Sequence, residues 1–239
     1  MTKLGIFYSC YNEVNAVDYS INKLKEIYPD NPVYVVSDGG EDFSYLESKY
    51  SNIKTVMGVD TMGSTFKITD QNFREDNHQE NIKKCALAVL NRLKSAIGYC
   101  KTDYILMMDP DALVIGELNI PDNVKLLGSR INIGLPNEYK DILTSVDGAK
   151  VINSWGATPA IFEVKSFLKA YNFIINNGEI LDRLCQSFYA IYAHDVLLPT
   201  IYALIGLEEE FNPDIVECNR NPKWVKTNKP LVHQFKKYY

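Results

Sequence analysis

Two aspartates separated by one proline, Asp109-Pro110-Asp111, close an apolar run over 104–108 and precede a second over 112–115. A run of that length bounded by turn chemistry predicts a strand buried on both faces. Proline has no amide hydrogen for a ladder and biases the residue before it towards extended geometry, so the strand is expected to stop at Asp109. Both carboxylates then stand at the carboxyl end of a central strand, where open α/β sheets bind ligands. Carboxylates at i and i+2 across a bend can face one point and hold a hard divalent cation, Mg²⁺ or Mn²⁺, that also takes phosphate oxygens. The competing reading is a plain turn with solvated carboxylates, and this stretch alone does not choose between the two.

The elements that must position this pair alternate between strand and helix. An apolar run at 4–8 leads into the loop Ser9-Cys10-Tyr11-Asn12-Glu13. Asn15 is placed to cap a helix, with Asp18 in its first turn and Val17, Ile21, Leu24 and Tyr28 on one face. After the prolines at 29 and 32 comes a second strand, 33–36, and the turn Ser37-Asp38-Gly39-Gly40. Strand, helix and parallel strand make a right-handed unit, which brings both loops to one sheet edge. Asp38 then lies near Ser9 to Glu13, a seat for a nucleotide's base and ribose, although an Asp-Gly turn is also common for its own sake. A short helix at 43–50 and a third strand at 53–57 follow, then a long polar stretch at 58–79 of the kind that tends to be functional or mobile.

The periodicity of 78–100 predicts a helix with Ile82, Cys85, Val89, Leu93 and Ala96 on one face. Its Lys83, Lys84, Arg92 and Lys94 are expected on a solvated face, from which Arg92 or Lys94 could reach a phosphate. Beyond the acidic pair the pattern predicts a strand at 124–128, a turn-rich excursion at 129–150 and a strand pair at 151–162 around a Trp155-Gly156-Ala157 corner. A helix at 163–177 should end on Gly178 as its C-cap. In 194–206, Pro199 is tolerated if Asp195 is the N-cap, since the first helical turn has amides without intrahelical acceptors. Glu208, Glu209 and Glu210 read as solvated, and 211–216 as a late strand.

Composition excludes some functions. The 239 residues carry a net charge of −5, and no stretch is densely basic before the tail, which argues against nucleic acid as the main partner. Five cysteines, with no CxxC pair, fit reduced buried thiols better than a disulfide frame or a zinc site. The start of the chain lacks a signal-peptide layout, and the apolar region 188–207 is too interrupted to span a bilayer. A soluble, cytoplasmic protein is the expectation (host cytoplasm, were the chain viral), its oligomeric state left open.

Taken in order, these pieces resemble the GT-A family of nucleotide-sugar-dependent glycosyltransferases over most of the chain. The stretch Ile6 to Glu13 is similar to that family's first strand and nucleotide loop, and 33–38 to its second strand ending in an acidic residue. Asp109-Pro110-Asp111 matches its DxD motif. Trp155-Gly156-Ala157 resembles its acceptor-side strand, and His194-Asp195 its acidic dipeptide heading a helix, with histidine in place of the first acid. The Ser-Asp-Gly-Gly turn and the short length also resemble small glycosyltransferase domains of large algal viruses.

The resemblance implies a single α/β Rossmann-like domain over 1–239, a mostly parallel central sheet flanked by helices. Residues 1–111 would form the nucleotide-binding half, and 112–239 the acceptor-binding half with a tail that closes on the metal. It implies Asp111 as a direct ligand of Mn²⁺ or Mg²⁺, Asp109 on the ribose or the metal, and His233 as a third ligand, with Lys236 near phosphate. Ser9, Tyr11, Asn12, Glu13, Asp38 and Arg92 would face the donor, a UDP-sugar in the first instance, and Trp155, Gly156 and His194 the glycan acceptor. Asp195 would be the general base of a single, inverting displacement. A sugar nucleotidyltransferase is a competing class, but the loop after the first strand lacks the glycines and basic residue such enzymes use. A sugar- or nucleotide-binding scaffold without catalysis is the other.

Overall fold

The computed structural model describes residues 4–10, 13–38, 40–57, 78–131, 135–152, 155–187, 191, 193–211, 216–218 and 230–233. Strand and helix alternate through β1 (Leu4–Cys10), α1 (Val14–Ile27), β2 (Val33–Ser37), α2 (Tyr45–Lys49), β3 (Ile53–Met57), α3 (His78–Cys100) and β4 (Tyr104–Met108). The second half runs β5 (Ala112–Val114), β6 (Leu126–Ile131), α4 (Asn137–Thr144), β7 (Trp155–Glu163), α5 (Val164–Asn176), α6 (Gly178–Ser187), α7 (His194–Leu204), β8 (Glu210–Phe211), β9 (Val216–Cys218) and β10 (Leu231–His233). Seven strands form one sheet in the order β3-β2-β1-β4-β7-β6-β8, and β5-β10-β9 form a second. β3, β2, β1 and β4 are mutually parallel, while β7 runs antiparallel between β4 and β6.

The apolar runs of β1 and β4 exist because both faces of the sheet are covered. Phe7, Ile105 and Met107 turn to a core shared with α3, α5, α6 and α7, whereas Ile6, Tyr8, Leu106 and Met108 turn to a core shared with α1. Alternate side chains of a strand point to opposite faces, so a strand covered on both sides has no polar positions to spare. Each large apolar side chain so buried contributes about 1.5–3 kcal/mol relative to exposure. The chain leaves β1 for β2 on one side and β4 lies on the other, which makes the carboxyl ends of β1 and β4 the topological switch point.

At that point β4 breaks as Pro110 requires. The Ala112 amide donates to the Asp109 carbonyl at 3.0 Å, closing a four-residue turn with proline in its second position. The chain then abandons the large sheet, and β5 pairs antiparallel with β10. A buried relay pins the turn. The Ser20 hydroxyl of α1 donates to the Ala112 carbonyl at 2.7 Å, which leaves its oxygen to accept from Tyr8 of β1, also at 2.7 Å. Burial pushes the Tyr8 phenol well above its ordinary range, so it stays a neutral donor.

Several expectations need correction. α1 opens on Glu13, whose carbonyl takes the Val17 amide, so Asn15 lies inside the helix and caps nothing. Residues 155–163 form one strand rather than a pair around a corner, because β4 and β6 flank its second part and β6 alone continues the pairing through Gly156 and Ala157. Gly178 opens α6 instead of capping α5; Asn177 serves that end, its side-chain and backbone nitrogens both on the Phe173 carbonyl. α4 and α6 were not anticipated, although Ile180, Leu181, Leu184 and Cys185 of α6 are buried at helical spacing. The Val196 and Leu197 amides go to the Ala193 carbonyl, so α7 starts at His194, Asp195 is not its cap, and Pro199 is its sixth residue. Glu209 is buried, not solvated. The late strand is divided between β8 and β9, with 212–215 outside the described residues. The thiols of Cys10, Cys85, Cys100 and Cys185 are free and buried. Among the described residues no helix is long and apolar enough to cross a membrane.

The relay beneath the turn gives a direct test. Ser20→Ala strips a buried partner from both Tyr8 and the Ala112 carbonyl, and should lower stability in urea denaturation by about 2 kcal/mol. Tyr8→Phe leaves Ser20 on its carbonyl and should lose about 1 kcal/mol in the same measurement.

Candidate active site

The switch point gathers acidic groups from three elements. Asp109 and Asp111 come from the turn after β4, and Asp111 is 9% exposed. Asp38 follows β2, its amide on the Cys10 carbonyl at 2.7 Å, and its carboxylate accepts from the Ser9 hydroxyl at 3.3 Å. Glu13 flanks α1. Their joint field is felt at Cys10, whose thiol is pushed up by burial first and then by the charges of Glu13, Asp38 and Asp109. A cleft that holds a buried thiol protonated in this way favours cations. Tyr11 and Asn12 lie outside the described residues.

Arg92 supplies the opposing charge, and it is not on a solvated face. It is 8% exposed on α3 and its guanidinium pairs with Asp38, itself 13% exposed. Its position is three residues after Val89 and four before Ala96, on the stripe that faces the sheet, so helical spacing already carried the signal. Nε and Nη2 of Arg92 are buried without a hydrogen-bond partner. Burial raises the Asp38 pKa against the pull of Arg92 and Ser9, and burial lowers that of Arg92 against the pull of Asp38. Desolvation is thus the larger influence on both, and the pair is one in which each partner's charge depends on the other. In this structure the guanidinium of Arg92 contacts Asp38.

Asp195 reaches the turn through β7. Its Oδ1 accepts the Thr158 amide at 3.0 Å and lies 3.2 Å from the Thr158 hydroxyl, which also donates to Asp109 Oδ2. The register explains the meeting. Met107 stands opposite Ala160, so two further residues along, Thr158 falls opposite Asp109. Pro159 has no amide for either neighbour, and the ladder with β6 shifts between Leu127 and Ser129, which releases the Thr158 amide to a side chain. Thr158 was missed from sequence. The signal was a Thr-Pro step inside an otherwise apolar strand.

Positions from the second half are fixed at the level of the backbone. His233 pairs in register with Ala112, one residue beyond Asp111, and with Cys218 on its other side. Trp155 and Gly156 pair with Ile131 and Arg130 at the start of β7, and His194 opens α7 beside Asp195. Lys236 lies outside the described residues, as does most of 58–79. Among the described residues no three acidic, histidine or cysteine side chains already converge on one point. The two carboxylates of the turn are hard oxygen donors of the kind that suit Mn²⁺ or Mg²⁺.

No protein-family model matches the chain, and no curated protein matches it in sequence. Solved structures do. The galactosyltransferase LgtC in complex with donor and acceptor sugar analogues superposes with a TM-score of 0.57 at 14% identity, covering 97% of this chain and 87% of that one. An active-site mutant of LgtC gives 0.58 at 13% identity with the same coverage. The mannosyltransferase PcManGT from Pyrobaculum calidifontis, with GDP-Man and Mn²⁺, gives 0.47 at 13% identity over 89% of this chain and 55% of that one, too low a score to add to the assignment. At these identities the likeness to LgtC is one of fold, and the chain has the α/β GT-A fold.

The Asp38–Arg92 pair yields a pH-dependent prediction. Arg92→Leu leaves a buried carboxylate without its cation and should destabilise the protein by about 3–5 kcal/mol near neutral pH. The raised Asp38 pKa rises further in the variant. The folded state then binds more protons than the unfolded one between the unfolded pKa and the folded value, so stability falls as pH rises through that window. Thermal unfolding of Arg92→Leu should therefore recover part of the loss when pH is lowered from 8 to about 5, a gain the parent protein lacks or shows less.

Proposed function

We propose that the chain is a metal-dependent glycosyltransferase that moves a sugar from a nucleoside diphosphate-sugar, UDP-sugars foremost, to a hydroxyl of a glycan or glycoconjugate. The observation that carries this reading is the meeting, at the switch point of a GT-A sheet, of the Asp109-Pro110-Asp111 turn with Asp195 from the opposite half. The donor and acceptor sugar analogues bound by LgtC, a protein of the same fold, support the substrate class.

In this reading Asp111 and Asp109 hold Mn²⁺ or Mg²⁺, with His233 as the third ligand. The bound metal supplies positive charge against the leaving diphosphate. Asp38, Arg92 and the Ser9–Glu13 loop receive the nucleoside. Among the described residues two buried Arg92 nitrogens have no hydrogen-bond partner, which suits the polar edge of a base, and Lys236 is assigned to the phosphates. Asp195 takes the proton from the acceptor hydroxyl as that oxygen attacks the anomeric carbon, and its bonds to Thr158 fix the direction from which it does so. Trp155, Gly156 and His194 flank the acceptor. One base acting opposite the leaving group gives a single displacement, so the product anomer is inverted relative to the donor.

Calorimetric titration of UDP and of GDP, each with and without Mn²⁺, tests the metal and donor assignments. Binding that needs Mn²⁺, and that disappears in Asp111→Ala, is expected; affinity unchanged by that substitution sinks the metal site. Asp195→Asn should keep nucleotide affinity while lowering turnover by about 10²-fold or more. Proton NMR of the first product formed gives the anomer directly, and retention would remove Asp195 from the role of base. A binding scaffold, by contrast, would take up nucleotide and show no turnover in any variant.

A further inference from the structure

Thr158 belongs to none of the motifs above, yet its hydroxyl contacts carboxylates 49 residues before it and 37 after it in the chain. We propose that Thr158 is a positioning residue that ties the metal-side Asp109 to the acceptor-side Asp195 through one hydroxyl, so that donor occupancy decides which carboxylate holds its proton. The roles of the two carboxylates rest on the glycosyltransferase reading; the tie itself does not.

The argument is one of valence and register. A threonine hydroxyl has one hydrogen, and two carboxylates compete for it. The oxygen is within hydrogen-bonding reach of both Asp109 Oδ2 and Asp195 Oδ1, the latter at 3.2 Å, so its one hydrogen can serve either. The Thr158 amide, released from the ladder by the Pro159 step, holds Asp195 Oδ1 at 3.0 Å in either state. Once Asp109 turns its charge to a cation or a ribose hydroxyl, its attraction for the threonine proton weakens, and the hydroxyl can rotate to Asp195. The carboxylate of Asp195 is then gripped by both donors of one residue, in the orientation that the β4–β7 register dictates. Two like charges are also kept at a workable distance by a shared donor, without which they would repel.

Two measurements test the proposal. The first uses the unliganded protein: urea unfolding of Asp109→Asn, Asp195→Asn and the double variant, in the parent and in Thr158→Val. The coupling energy between the two aspartate substitutions should differ clearly between the two backgrounds, because valine removes the shared donor and leaves only the repulsion of the two carboxylates. The same coupling energy in both backgrounds overturns the tie, whatever the protein's function. The second follows release of UDP from UDP-glucose and UDP-galactose with water as acceptor, beside calorimetric affinity for UDP with Mn²⁺. Thr158→Val should lower kcat about tenfold or more. Its affinity for UDP with Mn²⁺ should change by less than about threefold, and Thr158→Ser should restore kcat to within about threefold of the parent. Serine as slow as valine would assign the effect to packing rather than to the hydroxyl, and loss of nucleotide affinity in step with kcat would confine Thr158 to the donor side; either result overturns the proposal. A parent protein that binds neither UDP nor GDP with Mn²⁺ overturns the glycosyltransferase reading, and with it the role given to the tie, while the stability cycle still decides whether the tie exists.

Discussion

Proline 110 lacks an amide hydrogen, and the site is built on that missing donor. β4 is buried on both faces and flanked on both edges, so nothing in its side chains would stop it. Pro110 stops it, closes the turn from Asp109 to Ala112, and turns the chain out of the large sheet into the small one with β10. Two carboxylates are thereby left where four parallel strands end. The Tyr8–Ser20 relay holds the far side of the turn through the Ala112 carbonyl, which couples the position of Asp111 to the packing of α1 on β1. The acidic pair is therefore as rigid as the core beneath it.

The carboxylates at this edge are met, among the described residues, by hydrogen-bond donors and one arginine. Ser9 and Arg92 attend Asp38, Thr158 attends Asp109 and Asp195, and the phenol of Tyr8 remains protonated beneath the turn. Arg92 is the costly member of this set, since both it and Asp38 are pushed towards neutrality by burial. Such a pair is poor evidence for stability by itself.

Sequence reasoning was strongest where one local rule settled the outcome. The apolar runs of β1, β2 and β4, the periodicity of α3 and the proline break after Met108 each followed from period or from a missing amide. It was weaker wherever tertiary pairing overrode local signals. Gly156 and Ala157 looked like a corner and became strand because β6 pairs with them. Asp195 looked like a cap because Asp at a helix start usually is one, yet its carboxylate is drawn to Thr158 across the sheet. Arg92 looked solvated because it is charged, although its spacing from Val89 and Ala96 put it on the buried stripe. Thr158 could not have been found locally, because its importance comes from a register between strands some 50 residues apart, which no single stretch of chain displays.

The small sheet carries a consequence of its own. Residue 233 owes its place beside the acidic turn to two sets of backbone hydrogen bonds, with β5 on one side and β9 on the other. Side chains alternate between faces with a period of two, so a slip of β10 by one residue would send residue 233 to the opposite face while leaving every hydrogen bond count nearly intact. What guards against that slip is shape. Leu231 and Val232 are both buried, in different cores, and exchanging their faces would misplace both. The tail is in this sense a key with two teeth, and changes in the number of residues leading into β10 matter less to the site than the identity of the two that seat it.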